Sequence, residues 1–180
     1  VDVPEVYSVR CDERGAIYDL VEKLYERNCR HIYYLEDNNT FSATEKRNGF
    51  LEAVNKFNLK TTSKSIMIPI CTNQILDARQ KIEQLIRSKR KIDAVLSADD
   101  LLAVGALQAL NAAGIKIPVV GFNNSDFDFA CTPHLTTMDN QREFICTNAV
   151  STLMSLLEGR EAAHHILVSS KLVEGDTFRL

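Results

Sequence analysis

Apolar positions along the chain alternate between two rhythms. Val6-Tyr7-Ser8-Val9 reads as a short strand, and Ile17, Leu20, Val21, Leu24 and Tyr25 then recur at the spacing of one helix face, ending near Asn28. The pairing repeats. Ile32-Tyr33-Tyr34-Leu35 is a β-rich run followed by a helical stretch from Ala43 to Phe57, whose face carries Phe50, Val54 and Phe57. Ser65-Ile66-Met67-Ile68 leads into a helix over Ile75 to Arg87, and Ala94-Val95-Leu96-Ser97 leads into Leu101 to Ala113, with Gly114 at the position of a left-handed stop. Further apolar runs are Val119–Phe122 and Leu135–Met138. Phe144 to Leu157 then reads as a helix closed by Gly159, and Ile166–Val168 and Lys171–Val173 follow.

Strands that read as continuous apolar runs and alternate with helices of about a dozen residues require a parallel sheet covered by helices on both faces. The expected fold class is therefore α/β. In such sheets ligands sit beyond the carboxyl ends of the strands, where helix N-termini and loops converge. That rule selects residues 12–15, 36–46, 69–74, 97–100, 123–129 and 139–142, a set rich in Asn and Asp. Carboxylates and amides in a cleft grip pairs of hydroxyl groups, which points to a polyol or sugar-like ligand.

Composition narrows the classes. The chain has 180 residues, 45% hydrophobic and 25% charged, which excludes a disordered or collagen-like chain. Lys plus Arg is 21 against 24 Asp plus Glu, a formal charge of -3 that offers little attraction to a polyphosphate backbone. No apolar stretch approaches the roughly 20 residues that span a bilayer, and the first residues lack the basic and apolar regions of a secretory signal, so no membrane role is expected. The five cysteines, Cys11, Cys29, Cys71, Cys131 and Cys146, are widely spaced without a C-x-x-C pair, as suits thiols in the cytoplasm.

Catalytic signatures are absent: there is no G-x-S-x-G, no P-loop, no G-x-G-x-x-G after a strand and no H-E-x-x-H, and no cofactor is called for. His164 and His165 point to opposite faces of a strand and do not make a metal site. His31, between a helix end and a strand, is read as a helix C-terminal cap. In Asp99-Asp100, one carboxylate is expected to cap the following helix; that role falls to Asp100, leaving Asp99 as the ligand candidate. Asn123-Asn124 fits a turn or a ligand contact equally. Lys46 and Arg47 lie in the first turns of a helix facing the crevice, where a cation is ordinarily a solvated surface charge and a ligand contact is the alternative. Phe127 and Phe129 place apolar area on a loop, which favours docking on a partner.

The run Ile92-Asp93-Ala94-Val95-Leu96-Ser97-Ala98-Asp99-Asp100-Leu101-Leu102-Ala103-Val104-Gly105-Ala106-Leu107, then Ala113-Gly114-Ile115-Lys116-Ile117-Pro118, Val119-Val120-Gly121-Phe122-Asn123-Asn124 and Pro133-His134-Leu135-Thr136-Thr137-Met138, resembles the effector-binding core of lactose-repressor and galactose-repressor (LacI/GalR) type transcription regulators. Arg14-Gly15-Ala16, Arg30-His31-Ile32 and Arg47-Asn48-Gly49-Phe50 extend the likeness over nearly the whole chain. Members of that family begin with a helix-turn-helix headpiece, a hinge helix and further strand-helix units, and the resemblance implies that this chain starts after them. Pro118 also runs directly into Val119, where members place a few more residues.

What the resemblance implies is a periplasmic-binding-protein-like fold of two Rossmann-like halves. Residues 6–68 would form an incomplete N-terminal half, 69–138 the C-terminal half and 139–180 the returning helix and terminal strands. The implied effector contacts are Lys46, where members carry an arginine, Asp99, Asn123, Asn140, Arg142, Thr72, Asn73, Ser42 and Arg14, which is acidic in some members. An aromatic that stacks on the ligand has no counterpart near Thr72 and Asn73, leaving Phe41 for that task. The helix carrying Leu101 and Val104, with Phe129 and Cys131, matches the dimer surface. The implied partners are a sugar or related polyol, a second copy of the chain, and operator DNA met only through the headpiece. A periplasmic sugar-binding protein and, further off, an α/β enzyme acting on a sugar are the rival readings.

Overall fold

The computed structural model describes residues 6–36, 40–67, 74–125 and 132–179. The strands are β1 (Ser8–Cys11), β2 (Ile32–Glu36), β3 (Lys64–Met67), β4 (Ala94–Ser97), β5 (Val119–Phe122), β6 (Thr136–Asp139), β7 (His165–Val168) and β8 (Lys171–Val173). The helices are α1 (Glu13–Glu26), α2 (Phe41–Lys56), α3 (Gln74–Arg87), α4 (Asp100–Ala112) and α5 (Arg142–Leu157). The apolar rhythm therefore located every one of these elements, with helix starts displaced by up to two residues. At α2 and α4 polar N-caps set the start: Thr40 accepts from the Ala43 amide and starts α2 at Phe41, and Asp99 starts α4 at Asp100.

Six strands form one sheet in the order β3-β2-β4-β5-β6-β8, parallel throughout except for β8, which runs antiparallel to β6. β2, β4 and β5 are buried along their whole length, as a parallel sheet covered on both faces demands. α1 packs on α2 and α3 on α4, and their apolar faces join the strands in one continuous core that includes Leu20, Leu24, Tyr34, Phe50, Ile82 and Leu102. β1 and β7 pair in parallel as a separate two-stranded sheet, against which α5 packs through β1. No residue of α5 is fully buried, and Phe144, Val150, Leu153, Met154 and Leu157 stand exposed on it.

The expected boundary between 6–68 and 69–138 does not follow the sheets. β2 and β3 hydrogen-bond into the same sheet as β4, so residues on both sides of position 68 build one lobe, while β1, β7 and α5 stand apart. Strand and helix alternate with the same period in either lobe, and the period does not say which sheet a strand joins. The chain passes between the two sheets after β1, after β6 and after β7.

The strand order also places the site. From β2 the chain moves outward to β3 and then returns to the other side of β2 as β4, so the connections diverge between the carboxyl ends of β2 and β4. Such a switch point leaves a crevice that loops do not cross.

Candidate functional site

Lys46 rises from α2 at this switch point. Of the two readings of Lys46, the solvated surface charge does not hold, since it is 5% exposed. Its ammonium donates to the Ala98 carbonyl at 2.9 Å, lies 3.7 Å from Glu13 Oε1 and sits 4.1 Å from the centre of the Phe122 ring. Ser42, one turn earlier on α2, donates its hydroxyl to the same Glu13 oxygen. Gly49 permits this arrangement, because a Cβ there would stand 2.2 Å from the Arg14 carbonyl of α1 and push the two helices apart. Glu13 fell within residues 12–15 at the crevice but was not singled out as an effector contact; it lies in the first turn of α1.

The cap expected of Asp100 falls to Asp99. Asp99 is the N-cap of α4, with Oδ1 accepting from the Leu101 amide at 2.8 Å. Its other oxygen accepts from Asn123 Nδ2 at 2.7 Å. Asp100 is wholly buried and accepts from Thr137 Oγ1 at 2.6 Å and from the amide and hydroxyl of Ser125, both at 2.9 Å. Burial raises the Asp100 carboxyl above its ordinary pKa, against the opposing pull of those donors. Gly121 makes room for it, since a Cβ there would meet Asp100 Oδ1 at 2.2 Å. Which of two adjacent carboxylates caps depends on where the helix starts, and that start lay one residue earlier than the apolar spacing indicated.

From Asp99 a directional chain of hydrogen bonds crosses the strand ends. A carboxylate only accepts, so Asn123 must present its NH2 to Asp99 and its carbonyl to Asn140. Asn140 Nδ2 accordingly donates to Asn123 Oδ1 at 2.9 Å, which leaves Asn140 Oδ1 to accept the Cys11 thiol at 3.5 Å. Ser170 Oγ completes the chain 2.9 Å from the Cys11 sulfur. Burial raises the Cys11 pKa, so at neutral pH the thiol keeps its proton for this bond. The turn reading of Asn123-Asn124 holds, since both residues have positive φ, 103° and 49°, and Asn123 in addition bonds to Asp99.

The remaining expected contacts fall elsewhere. Arg14 is half exposed and paired with Glu52 at 3.0 Å, and Arg47 is paired with Glu36. Neither guanidinium joins the Lys46 cluster through these bonds. Arg142 lines a neighbouring cavity of about 530 Å3 with Asn124, Asp139, Phe144 and Lys171, in the first turn of α5. Phe41 is exposed and carries the Arg10 guanidinium 5.4 Å above its ring. Thr72, Asn73, Phe127, Phe129 and Cys131 lie outside the described residues; Leu101 and Val104 are half-buried on α4. His31 does not cap a helix: its Nδ1 pairs with Asp93 at 2.9 Å, and Arg30 instead reaches the Tyr25 carbonyl at 2.6 Å. His164 stacks on Tyr7 and His165 meets Ser8, and no group of three or more His, Cys, Asp or Glu among the described residues is arranged to hold a metal ion.

A parallel-rich sheet with polar groups gathered at its switch point, joined through three passages to a second sheet, is the plan of a binding-protein lobe. The family described as periplasmic binding protein-like domain matches residues 21–178. The chain belongs to that family. Among its relatives, an HTH-type transcriptional regulator of Lachnoclostridium phytofermentans is 31% identical over 94% of this chain and 52% of its own length. The binding-protein-like domain thus spans about half the length of the relatives it matches. A LacI transcriptional regulator from a Rhodococcus species superposes with a TM-score of 0.82 at 23% identity, over 97% of this chain and 65% of that one. A periplasmic binding protein/LacI transcriptional regulator from Alkaliphilus metalliredigens, complexed with D-xylulofuranose, gives 0.79 at 20% identity, over 97% and 66%. At those identities the superpositions establish the fold, while the sequence relatives are regulators.

Proposed function

We propose that this domain is the ligand-sensing part of a cytoplasmic DNA-binding transcriptional regulator, and that its effector is a sugar or related polyol held by Lys46, Asp99, Asn123 and Asn140. The observation that carries the reading is the chain Asp99–Asn123–Asn140 across the ends of β4, β5 and β6, beside a buried ammonium. Carboxylate and amide groups in that arrangement exchange their mutual bonds for those of vicinal hydroxyls, and an analogue lacking a hydroxyl leaves them unpaired. Arg142 and Asn124, on the adjoining cavity, extend the contact surface.

The domain binds without chemistry. Its ligand acts by closing the small β1/β7 lobe on the larger one, which in a dimer formed through Leu101, Val104, Phe129 and Cys131 changes how headpieces outside this chain fit the operator. Moving such an equilibrium from 1:99 to 99:1 takes roughly 5.5 kcal/mol of differential binding.

The test uses the full-length protein. Melting is followed with a panel of neutral mono- and disaccharides, and operator binding by fluorescence anisotropy. Asp99→Ala and Asn123→Ala are expected to abolish the effector response while operator binding persists. Unchanged effector affinity of both variants in calorimetry refutes the site.

A further inference from the structure

The charges around Lys46 decide more than where a ligand sits. A lysine at the end of a crevice is a ready partner for a phosphate or carboxylate only while its donors are unspent and its surroundings lack competing anions. Here neither condition is met. The ammonium is directed at the Ala98 carbonyl and the Phe122 ring, with the Glu13 carboxylate 3.7 Å away. Ser42 bonds to that carboxylate and fixes it in place.

Helix N-termini, which would otherwise draw an anion, are also already served by the chain's own carboxylates. Asp12 caps α1 through the Gly15 amide and Glu13 occupies its first turn; Asp99 caps α4 and Asp100 follows it. Among the described helices only α2, capped by Thr40, has no acid in its first turn. The nearest guanidiniums are engaged, Arg14 with Glu52 and Arg47 with Glu36, while Arg10 lies over Phe41. Glu13 therefore already balances the ammonium of Lys46, and Asp99 follows in the chain directly after the Ala98 carbonyl to which Lys46 donates.

From this arrangement we infer that the effector carries no anionic group, and that Glu13 is the residue that excludes sugar phosphates and sugar acids. This rests on the proposed sensing role of the same site. An incoming phosphate would have to pull Lys46 from Glu13 and then lie against two carboxylates in a partly desolvated crevice, where like charges repel more strongly than in water. A hydroxyl meets no such barrier, since Glu13 and Asp99 accept from it and Lys46 donates to it.

The experiment needs no knowledge of the effector. Inorganic phosphate and glucose 6-phosphate are titrated into the full-length protein and into Glu13→Gln, Lys46→Met and the double variant, with binding read from 31P line width and melting temperature. The unsubstituted protein is expected to show no phosphate binding that Lys46→Met removes. Glu13→Gln is expected to gain at least tenfold in affinity for both probes, and the double variant to lose that gain. Phosphate binding by the unsubstituted protein that disappears in Lys46→Met overturns the inference, and so does a Glu13→Gln variant that gains nothing while melting as a folded protein. Binding equal in all four proteins lies away from Lys46, includes no gain in Glu13→Gln, and so overturns the inference as well. A protein that excludes anions yet answers no neutral sugar would count against the sensing role instead, so the two can fail separately.

Discussion

Asn123 Nδ2 stands 2.7 Å from Asp99 Oδ2, joining the tip of β5 to the first turn of α4 with a charge-assisted bond. Because the carboxylate can only accept, this one contact orients both Asn123 and Asn140 and reaches the thiol of Cys11 on the other sheet. Asp99 thus works twice, once as a helix cap and once as the origin of the site's hydrogen-bond polarity.

These two tasks can be separated. Serine caps a helix about as well as aspartate but is too short to serve both partners. Asp99→Ser is expected to unfold in urea within about 0.5 kcal/mol of the unsubstituted protein, whereas Asp99→Ala loses about 1 kcal/mol. Both should lose the response to neutral sugars in the melting assay; a serine variant that keeps it would remove Asp99 from the site.

Asp100 supplies a pH signature. Its folded pKa is raised by burial above the unfolded one, so between the two values the folded protein binds more protons and stability falls as pH rises. The contribution is largest below the ordinary carboxylate range and is lost as pH climbs to the raised value. Asp100→Asn lacks this titration and retains part of the bonding to Thr137 and Ser125; it is expected to cost about 1 to 3 kcal/mol near neutrality. Urea midpoints collected across the acid range should show the native protein losing stability relative to Asp100→Asn with rising pH, and parallel curves would contradict the shift.

Gly121→Ala tests the packing beneath the site. The added Cβ would lie 2.2 Å from Asp100 Oδ1 and 2.9 Å from Leu135 Cδ2. Neither neighbour can retreat, because Asp100 is held by Thr137 and Ser125 and Leu135 is buried. A loss of about 1 to 3 kcal/mol is expected, read from the denaturation midpoint, whereas a change below 0.5 kcal/mol would mean that β5 shifts freely.

Cys11, Asn140 and Ser170 each stand on a different passage between the two sheets, and the Cys11 sulfur bonds to both of the others. Cys11→Ala is therefore expected to speed amide exchange at residues 139–141 and 169–171 as well as at its own position, and Cys11→Ser to restore protection at least in part. Exchange measured by mass spectrometry decides this; an effect confined to residues 10–12 would show that the thiol does not tie the passages. With its pKa raised, Cys11 should also alkylate more slowly than the exposed Cys146 at neutral pH.

Much was legible in the order of residues. The apolar runs of β2, β4 and β5 and the 3.6-residue spacing in α1 report burial directly, because one buried face imposes its period on the chain. The rule of strand carboxyl ends selected the segments that carry Lys46, Asp99, Asn123 and Asn140; the last three are joined by hydrogen bonds, and Lys46 bonds to the Ala98 carbonyl next to Asp99. What the chain by itself determined was local: which segments are strands and helices, and which polar tips follow them.

Only the tertiary structure decided the partners. It put β2 between β3 and β4 rather than in a separate half, turned Lys46 from a surface charge into a buried one, and gave the cap to Asp99 and the buried tie to Asp100. It also brought Glu13 to Lys46 across 32 residues of intervening chain and moved Arg142 to a different cavity. Periodicity records whether a residue meets the core or water, whereas pairing between distant segments depends on sheet order and helix approach, which no local pattern encodes.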